Sequence, residues 1–455
     1  MKRRSSPASL LRLGGRVLAC ATLLVGTQSA CSGQAAGTLP DGPLTRRATP
    51  LIVGVGVHFG IGGQFGYEPA PTARAIDELG VASFRDDIPW VAFKQKGLAV
   101  PGDISPRQQA MVAATRARPL WILTYTHPAV DGGKAPVSDT ARRAFAAFNQ
   151  DAVRVTEARQ PLYEIWNEWN LNAAPERGML RGAGTADDPR SGINYARLAN
   201  QATRAIRAVD PKAMILVGAA GEDKGWAWVR SVAANGGLAG ASALSVHYYN
   251  QCEPVAKRTG ADAIGQIEAL HRALPTTDGH ALPIYVTELG WPTTTGGPCG
   301  DIAPERAADN VAQFLLWSAA TPWMGGVWVY QLKDQGRRPS EMEDNFGLYT
   351  YDYRPKPAAC AVREATALAS AGKAWRVDRS QPGITALRVD GAEGSKMIVW
   401  TDAPDDRLVL KFSGSVRYRP ICGQAGQGAA VPVGYRPVVI ALGAAKATAP
   451  RFERQ

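Results

Sequence analysis

Beyond its first thirty residues the sequence has no apolar stretch long enough to cross a bilayer. It has no HExxH motif and no Cys/His cluster at metal-ligand spacing, so no metal centre is expected and no cofactor is implied. The glycine-rich stretch Gly54-Val-Gly56-Val-His-Phe-Gly60 departs from the dinucleotide fingerprint, and no helical pattern follows it. Nothing resembles a basic stripe for nucleic acid, so that class of partner is set aside. With 455 residues, 45% hydrophobic and 20% charged, the chain can hold two or three domains, or one large barrel with an appendage.

The N-terminus is different material. Its charges are Lys2, Arg3, Arg4, Arg12 and Arg16, followed by the apolar run from Val17 to Gly26. This is the pattern of a secretory signal, too short to span a membrane, and residues 1–30 are read as one. The expectation is an exported protein, periplasmic or extracellular. Gln28-Ser-Ala-Cys31 resembles a bacterial lipobox with Gln where Leu is usual, which makes Cys31 a candidate for lipidation and membrane anchoring. Without the leader's charges the net charge of +11 shrinks to a modest excess, compatible with an acidic partner such as an anionic glycan. Past Cys31 lie Cys252, Cys299, Cys360 and Cys422, an even number suited to an oxidising compartment.

From residue 51 to about 371, short β-rich runs alternate with amphipathic helical stretches. The strand candidates are Leu51–Val57, Ala82–Asp86, Leu120–Tyr125, Leu162–Trp166, Met214–Gly218, Leu244–Tyr248, Ile284–Thr287 and Gly326–Gln331. Helical stretches between them include Thr140–Arg159, Tyr195–Val209 and Pro304–Ala320. Eight β-α repeats predict an α/β fold, a closed (β/α)8 TIM barrel, rather than an open doubly wound sheet. From 372 to 447, short strands separated by Gly, Asp and Pro turns predict a small antiparallel β-sandwich. Residues 31–50 read as linker and 448–455 as tail. A monomer is expected.

Chemistry in such a barrel sits at the C-terminal ends of the strands. The fourth strand runs out through Tyr163-Glu-Ile-Trp-Asn-Glu-Trp-Asn170, and the seventh through Ile284-Tyr-Val-Thr-Glu-Leu-Gly-Trp-Pro292. Each apolar run ends in a carboxylate among aromatics, a costly placement unless the group is protonated or paired. Strands four and seven lie across the mouth from each other, so Glu168 and Glu288 are expected to face one another. Two carboxyl groups about 5–5.5 Å apart suit cleavage of a glycosidic bond with retention. Arg85, in Phe84-Arg-Asp-Asp-Ile-Pro-Trp90, and the Tyr249 hydroxyl are candidate donors that keep Glu288 ionised. Glu164 lies deeper and reads as a satisfied interior group. His247 and Tyr249 share one side of strand six at the mouth, while His58 and His127 end strands one and three.

Trp166-Asn-Glu168, Thr287-Glu288 and His247-Tyr-Tyr249 resemble clan A glycoside hydrolases. The YEIWNE phrase looks most like family 39, which includes β-xylosidases, iduronidases and PslG-type periplasmic endoglycosidases of exopolysaccharide operons. The resemblance covers residues 51 to about 445. It implies Glu168 as general acid/base and Glu288 as nucleophile, with Asn167 donating to the sugar 2-hydroxyl. It also implies Trp328 as the platform under the reacting sugar. The chain departs from the family in having Trp169 where Pro is usual after the acid/base, a departure that bears on the shape of the adjoining subsite and not on the acid.

Sugars stack their C–H faces on aromatic rings, so Trp90, Trp169, Trp291 and Trp328, all near strand ends, are candidates to bind a glycan. The segment Lys333–Tyr349, with Asp334 and Glu343, is expected to build a groove wall. Cys252 and Cys299, in neighbouring loops after strands six and seven, are expected to pair. Cys360 and Cys422 would then staple the two domains. The leading expectation is a retaining glycosidase, endo-acting on a bacterial exopolysaccharide. The alternatives are a catalytically silent glycan-binding part of an export machine, and a transglycosylase.

Overall fold

A computed structural model of the chain describes residues 36–38, 42–93, 103–171, 188–274, 282–443 and 450–455. The signal segment and Cys31 lie outside the described residues. The barrel strands are β1 Ile52–Gly56, β2 Ser83–Pro89, β3 Arg118–Thr124, β4 Leu162–Ile165, β5 Met214–Ala220, β6 Ala243–Tyr248, β7 Ile284–Leu289 and β8 Met324–Val329. They pair in parallel, each with its sequence neighbours, and β8 closes on β1. Parallel strands covered on both faces need apolar residues at nearly every position, and β5, Met-Ile-Leu-Val-Gly-Ala-Ala, supplies them.

The helices form where their signals predict. Asp139–Thr156 starts on a Ser138 cap that accepts from the Ala141 amide, and a single 3-10 turn extends it to Arg159. The helix predicted from Tyr195 begins earlier, at Pro189, because Asp188 caps it and proline suits the first helical position. Pro304–Ala320 buries its predicted stripe of Ala308, Val311, Ala312, Leu315 and Ala319. Nearly all of its remaining positions are buried too, since it packs against the helix Pro357–Ala371 and against the C-terminal sheet.

Side chains inside the barrel form layers. At the bottom, Leu120, Leu162, Leu216, Ala243, Tyr285 and Trp328 make one apolar plug. Trp328 is therefore not a sugar platform. It is fully buried, its Nε1 donates to Ser83 Oγ at 3.1 Å, and Tyr285 stacks on it. Gly54 makes room for it, as a Cβ there would lie 2.2 Å from the indole nitrogen.

The C-terminal strands β9 Gly372–Asp378, β10 Ile384–Gly391, β11 Gly394–Thr401, β12 Leu408–Pro420, β13 Gly426–Val433, β14 Val438–Ala441 and β15 Arg451–Arg454 form one antiparallel sheet rather than two separate ones. The long strand β12 joins its halves, pairing with β15 over Leu408–Lys411 and with β14 over Tyr418–Pro420. Alternation assigns the faces. Ile384, Ala386, Met397 and Val399 enter the sheet's own core with Leu410, Val431 and Phe452, whereas Leu387, Val389, Ile398 and Trp400 join the barrel's core.

Two expectations are corrected here. Within the supposed linker, Ala36–Thr38 pairs with β15 and Thr45–Arg46 pairs with β9. The supposed tail is β15 itself. Edge strands expose unpaired amides and carbonyls, and these short segments cover them. The second domain is locked to the barrel by Tyr435, whose hydroxyl bonds Asn310 and whose carbonyl accepts from Gln313, and by the Arg436–Asp309 pair. The Cys360–Cys422 disulfide adds a covalent staple.

Candidate active site

The middle layer of the barrel is ionic. Arg85 Nε donates to Glu164 Oε2 at 2.7 Å, and Thr287 Oγ1 donates to Glu164 Oε1 at 2.7 Å, so Glu164 is saturated and fully buried. Arg85 also reaches upward. Its Nη1 donates to Glu288 Oε1 at 2.5 Å and its Nη2 to Asn167 Oδ1 at 2.8 Å. Burial alone would loosen the guanidinium's proton, but Glu164 and Glu288 more than offset it and raise its pKa. The expected pairing of Arg85 to Glu288 is present, with Glu164 as the deeper partner.

Simple alternation does not place the two candidate carboxylates. Along β7, Tyr285 and Thr287 face inward, so Glu288 should face out. Register shifts against both neighbouring strands at this level turn it into the mouth, the usual effect of a bulge. On β4 the strand ends at Ile165, and Trp166 and Glu168 adopt left-handed backbone at φ 68° and 48°. Non-glycine residues there are strained, and such strain collects at functional sites. Both devices lie at the level where the acids meet. The facing oxygens of Glu168 and Glu288, with one nitrogen of His247, all fall within 4.8 Å of one another.

Glu288 is held on every side. Tyr249 Oη donates to its Oε2 at 2.6 Å, and His247 Nδ1 stands 3.6 Å from the same oxygen. Burial would raise the carboxyl's pKa, but the charges of His247 and Arg85 and the bonds from Tyr249 and Arg85 prevail, bringing it down to about 2. His247 Nδ1 lies 2.9 Å from Glu168 Oε1, and its Nε2 lies 3.2 Å from Arg85 Nη2. A guanidinium can only donate, so in the neutral ring Nε2 accepts and Nδ1–H points at Glu168. Burial lowers the basicity of His247, while Glu288 and the bond to Glu168 raise it, and the carboxylates win. The three clustered groups could bridge a cation by distance, but the guanidinium already supplies the positive charge beside Glu288.

A second chain of donors leaves Arg85 through Asn167. Asn167 Nδ2 donates to Tyr125 Oη at 3.2 Å, and the Tyr125 hydroxyl favours the ionised form of Asp87. Burial pushes the Asp87 carboxyl up, Arg85 opposes, and Glu288 and Glu164 add to the rise, to about 6. Its neighbour Asp86 faces the other way and accepts from the amides of Phe59 and Gly60.

The remaining candidates divide. His58 sits at the mouth, edge-on to Phe65, Tyr67 and Tyr330, and burial lowers its pKa to about 4, so it is neutral. Trp169 is not a groove residue. It is fully buried against Trp166 and Tyr195, where the helix Pro189–Val209 covers it. Trp291 is likewise buried, its Nε1 donating to Asn250 Oδ1 at 2.7 Å, and it props the loop after β6. Trp90 stacks on Phe148, and His127 packs beside Trp90 while accepting from the Ala129 amide. Trp90 and Trp169 thus pack into the helix-strand interface, the larger apolar sink.

The aromatic surface at the mouth is made of tyrosines instead. Tyr330 is partly exposed, edge-on to His58, Tyr249 and Phe346, with its hydroxyl bonded to Glu343 at 3.2 Å. Tyr125 and Tyr330 were the residues missed. Tyr330 shares its parity with Trp328, so alternation could not choose between them; only depth along the barrel does. In the segment after β8, Glu343 faces the mouth, while Asp334 is buried in an ion pair with Lys356 at 2.7 Å. Cys252 and Cys299 are bonded, bracing the loops after β6 and β7.

Comparison with known proteins agrees with this fold. The chain is 20% identical to a family 39 glycoside hydrolase from the gut symbiont Bacteroides cellulosilyticus WH2, over 86% of this chain and 81% of that one, with a TM-score of 0.66. A family 39 β-xylosidase from Caulobacter crescentus is 17% identical over 87% of this chain and 98% of its own, with a TM-score of 0.57. Identities this low concern the fold. A stretch of 108 residues is 27% identical to "Probable glucan endo-1,3-beta-glucosidase" of Arabidopsis thaliana, and the chain spans only 31% of that protein's length. The family model "Cellulase (glycosyl hydrolase family 5)" matches residues 71–322, more than half of the chain. The chain therefore belongs to the cellulase family, glycosyl hydrolase family 5, and is a glycosidase on the clan A barrel that this family shares with family 39.

Proposed function

We propose that this glycosidase works by double displacement, with Glu288 as nucleophile and Glu168 as general acid and then general base. The separation of the two carboxylates carries the reading. One oxygen of each carboxylate lies within 4.8 Å of the other, so the two groups face each other at close range. Inverting enzymes need about 6.5–9.5 Å for a water between acid and base, and retaining ones about 5–5.5 Å.

In the first step a Glu288 oxygen attacks the anomeric carbon while Glu168 gives its proton to the departing glycosidic oxygen. A glycosyl ester on Glu288 results. In the second, Glu168 takes a proton from water, whose oxygen replaces Glu288 at the same carbon. Glu288, low in pKa, is poised to attack and then to leave. Charge moves off it in the first transition state, and Arg85 and Tyr249 remain fixed to receive it again in the second. Asn167 keeps a second amide hydrogen that can reach the sugar 2-hydroxyl.

We take the substrate to be a bacterial polysaccharide outside the cytoplasm, attacked within the chain. Two disulfides fit an oxidising compartment. The named endo activity of the Arabidopsis protein supports internal attack. The signal-like N-terminus and Cys31 support export with a lipid anchor.

The test is the pair Glu288→Gln and Glu168→Gln on an activated aryl glycoside. Glu288→Gln should abolish turnover. Glu168→Gln should spare the first step with a good leaving group, and azide should restore the second. Wild-type turnover in both variants would remove the assignment.

A further inference from the structure

We propose that Asp87 reads the glycone, its Oδ1 accepting a hydrogen bond from a ring hydroxyl of an uncharged sugar. The proposal rests on the glycosidase reading above.

Asp87 follows Arg85 by two residues on β2, so both point into the barrel, Asp87 one pleat (about 6.6 Å) nearer the mouth. It is only 5% exposed, and its Oδ1 has no hydrogen-bond partner among the described residues. A buried carboxylate oxygen left unpaired loses its hydration without compensation. Nothing in the two-carboxylate chemistry uses it.

Its surroundings are ordered from below. Arg85 fixes the oxygen end of Asn167, Asn167 donates to Tyr125, and the Tyr125 hydroxyl favours the ionised Asp87 carboxyl. Buried on β2, Oδ1 is an open acceptor beside the two glutamates. A site built this way discriminates strongly against an analogue lacking the matching hydroxyl, because the acceptor is then stranded.

The charges around Asp87 among the described residues favour an uncharged sugar. A uronate would meet Asp87, Glu168 and Glu288 together. The described cations nearby are already committed. Arg85 serves Glu164, Glu288 and Asn167, and Lys333 Nζ donates to the carbonyls of Phe65 and Asp334 beneath three tyrosine rings.

The experiment measures labelling rates of Glu288 by intact-protein and peptide mass spectrometry. The probes are 2,4-dinitrophenyl 2-deoxy-2-fluoro-β-glycosides of gluco, xylo and glucurono configuration, with 3-, 4- and 6-deoxy forms of the gluco probe. Wild type should label at least about 10-fold faster with an uncharged probe than with the glucuronide. Removing one particular hydroxyl should slow it about 10-fold or more. In Asp87→Ala the parent probe should be slowed as much, and loss of that hydroxyl should add nothing. Asp87→Asn, which keeps an acceptor oxygen, should recover part of the rate. Because parent and deoxy probes are compared within one variant, a misfolded fraction cancels. An unchanged parent-to-deoxy ratio in Asp87→Ala, or a wild-type preference for the glucuronide, would overturn the proposal alone. No labelling of Glu288 by any probe would remove the glycosidase mechanism and this proposal with it.

Discussion

Arg85 bridges Glu288 and Glu164, touching the first at 2.5 Å through Nη1 and the second at 2.7 Å through Nε. One guanidinium thus joins a carboxylate of the reaction centre to a carboxylate of the barrel interior. Breaking a buried pair by removing one partner strands the other charge. Arg85→Met should lower stability by about 3–5 kcal/mol and cut kcat/KM by about 100- to 1,000-fold. Arg85→Lys should recover little, since an ammonium cannot span both acids in the plane of a guanidinium. Thermal melting and steady-state kinetics on both variants test this.

The pKa of Glu288 predicts the direction of acid sensitivity. Folded, it lies near 2, below the ordinary value of 4.5, despite the opposing effect of burial. A depressed carboxyl contributes stability that is complete above its unfolded pKa and lost as pH falls through the folded one. The window is about pH 4.5 down to about 2, with a contribution on the order of 3 kcal/mol. Glu288→Gln removes this contribution, so the difference in Tm between wild type and variant should shrink as pH drops from 5.5 to 2.5. A constant difference would contradict the pairing.

Trp328 and Tyr330 should behave oppositely. Trp328→Ala opens the bottom plug and should destabilise by about 3–5 kcal/mol, with little change in KM for the folded fraction. Tyr330→Ala removes an aromatic wall at the mouth and should raise KM about 10-fold, near the upper value for one aromatic contact, while Tm moves little. Were Trp328 the sugar platform, the two phenotypes would be exchanged.

The disulfides should separate in the same way. Their sequence separations are 47 for Cys252–Cys299 and 62 for Cys360–Cys422. Chain entropy alone makes each worth about 4 kcal/mol. Losing Cys360–Cys422 should lower Tm and leave kcat/KM intact, because it joins the domains away from the acids. Losing Cys252–Cys299 frees loops beside the Tyr249 strand end and should also raise KM. Double serine variants assayed by calorimetry and kinetics distinguish them.

The eight strands were legible because parallel barrel strands are buried on both faces and read as short apolar runs between helical patterns. Both glutamates and Arg85 were legible because a charge at the end of such a run has no packing reason to be there. The tryptophans misled: composition near a strand end does not say whether a ring points to the mouth, the barrel floor or the helices. The first and last strands of the C-terminal sheet were missed because two to four residues carry too little periodicity, and their reason for pairing is an exposed sheet edge elsewhere in the chain.

Sequence alone therefore determined the barrel, the cysteine partners and which two carboxylates meet at the mouth, since each follows from local pattern plus the symmetry of a closed eightfold repeat. Tertiary structure decided where those acids point, because a bulge on β7 and left-handed turns at Trp166 and Glu168 override alternation. It also decided which aromatic stands at the mouth and that Asp87 keeps an unpaired oxygen, as depth in a barrel and hydrogen-bond satisfaction are properties of packed neighbours.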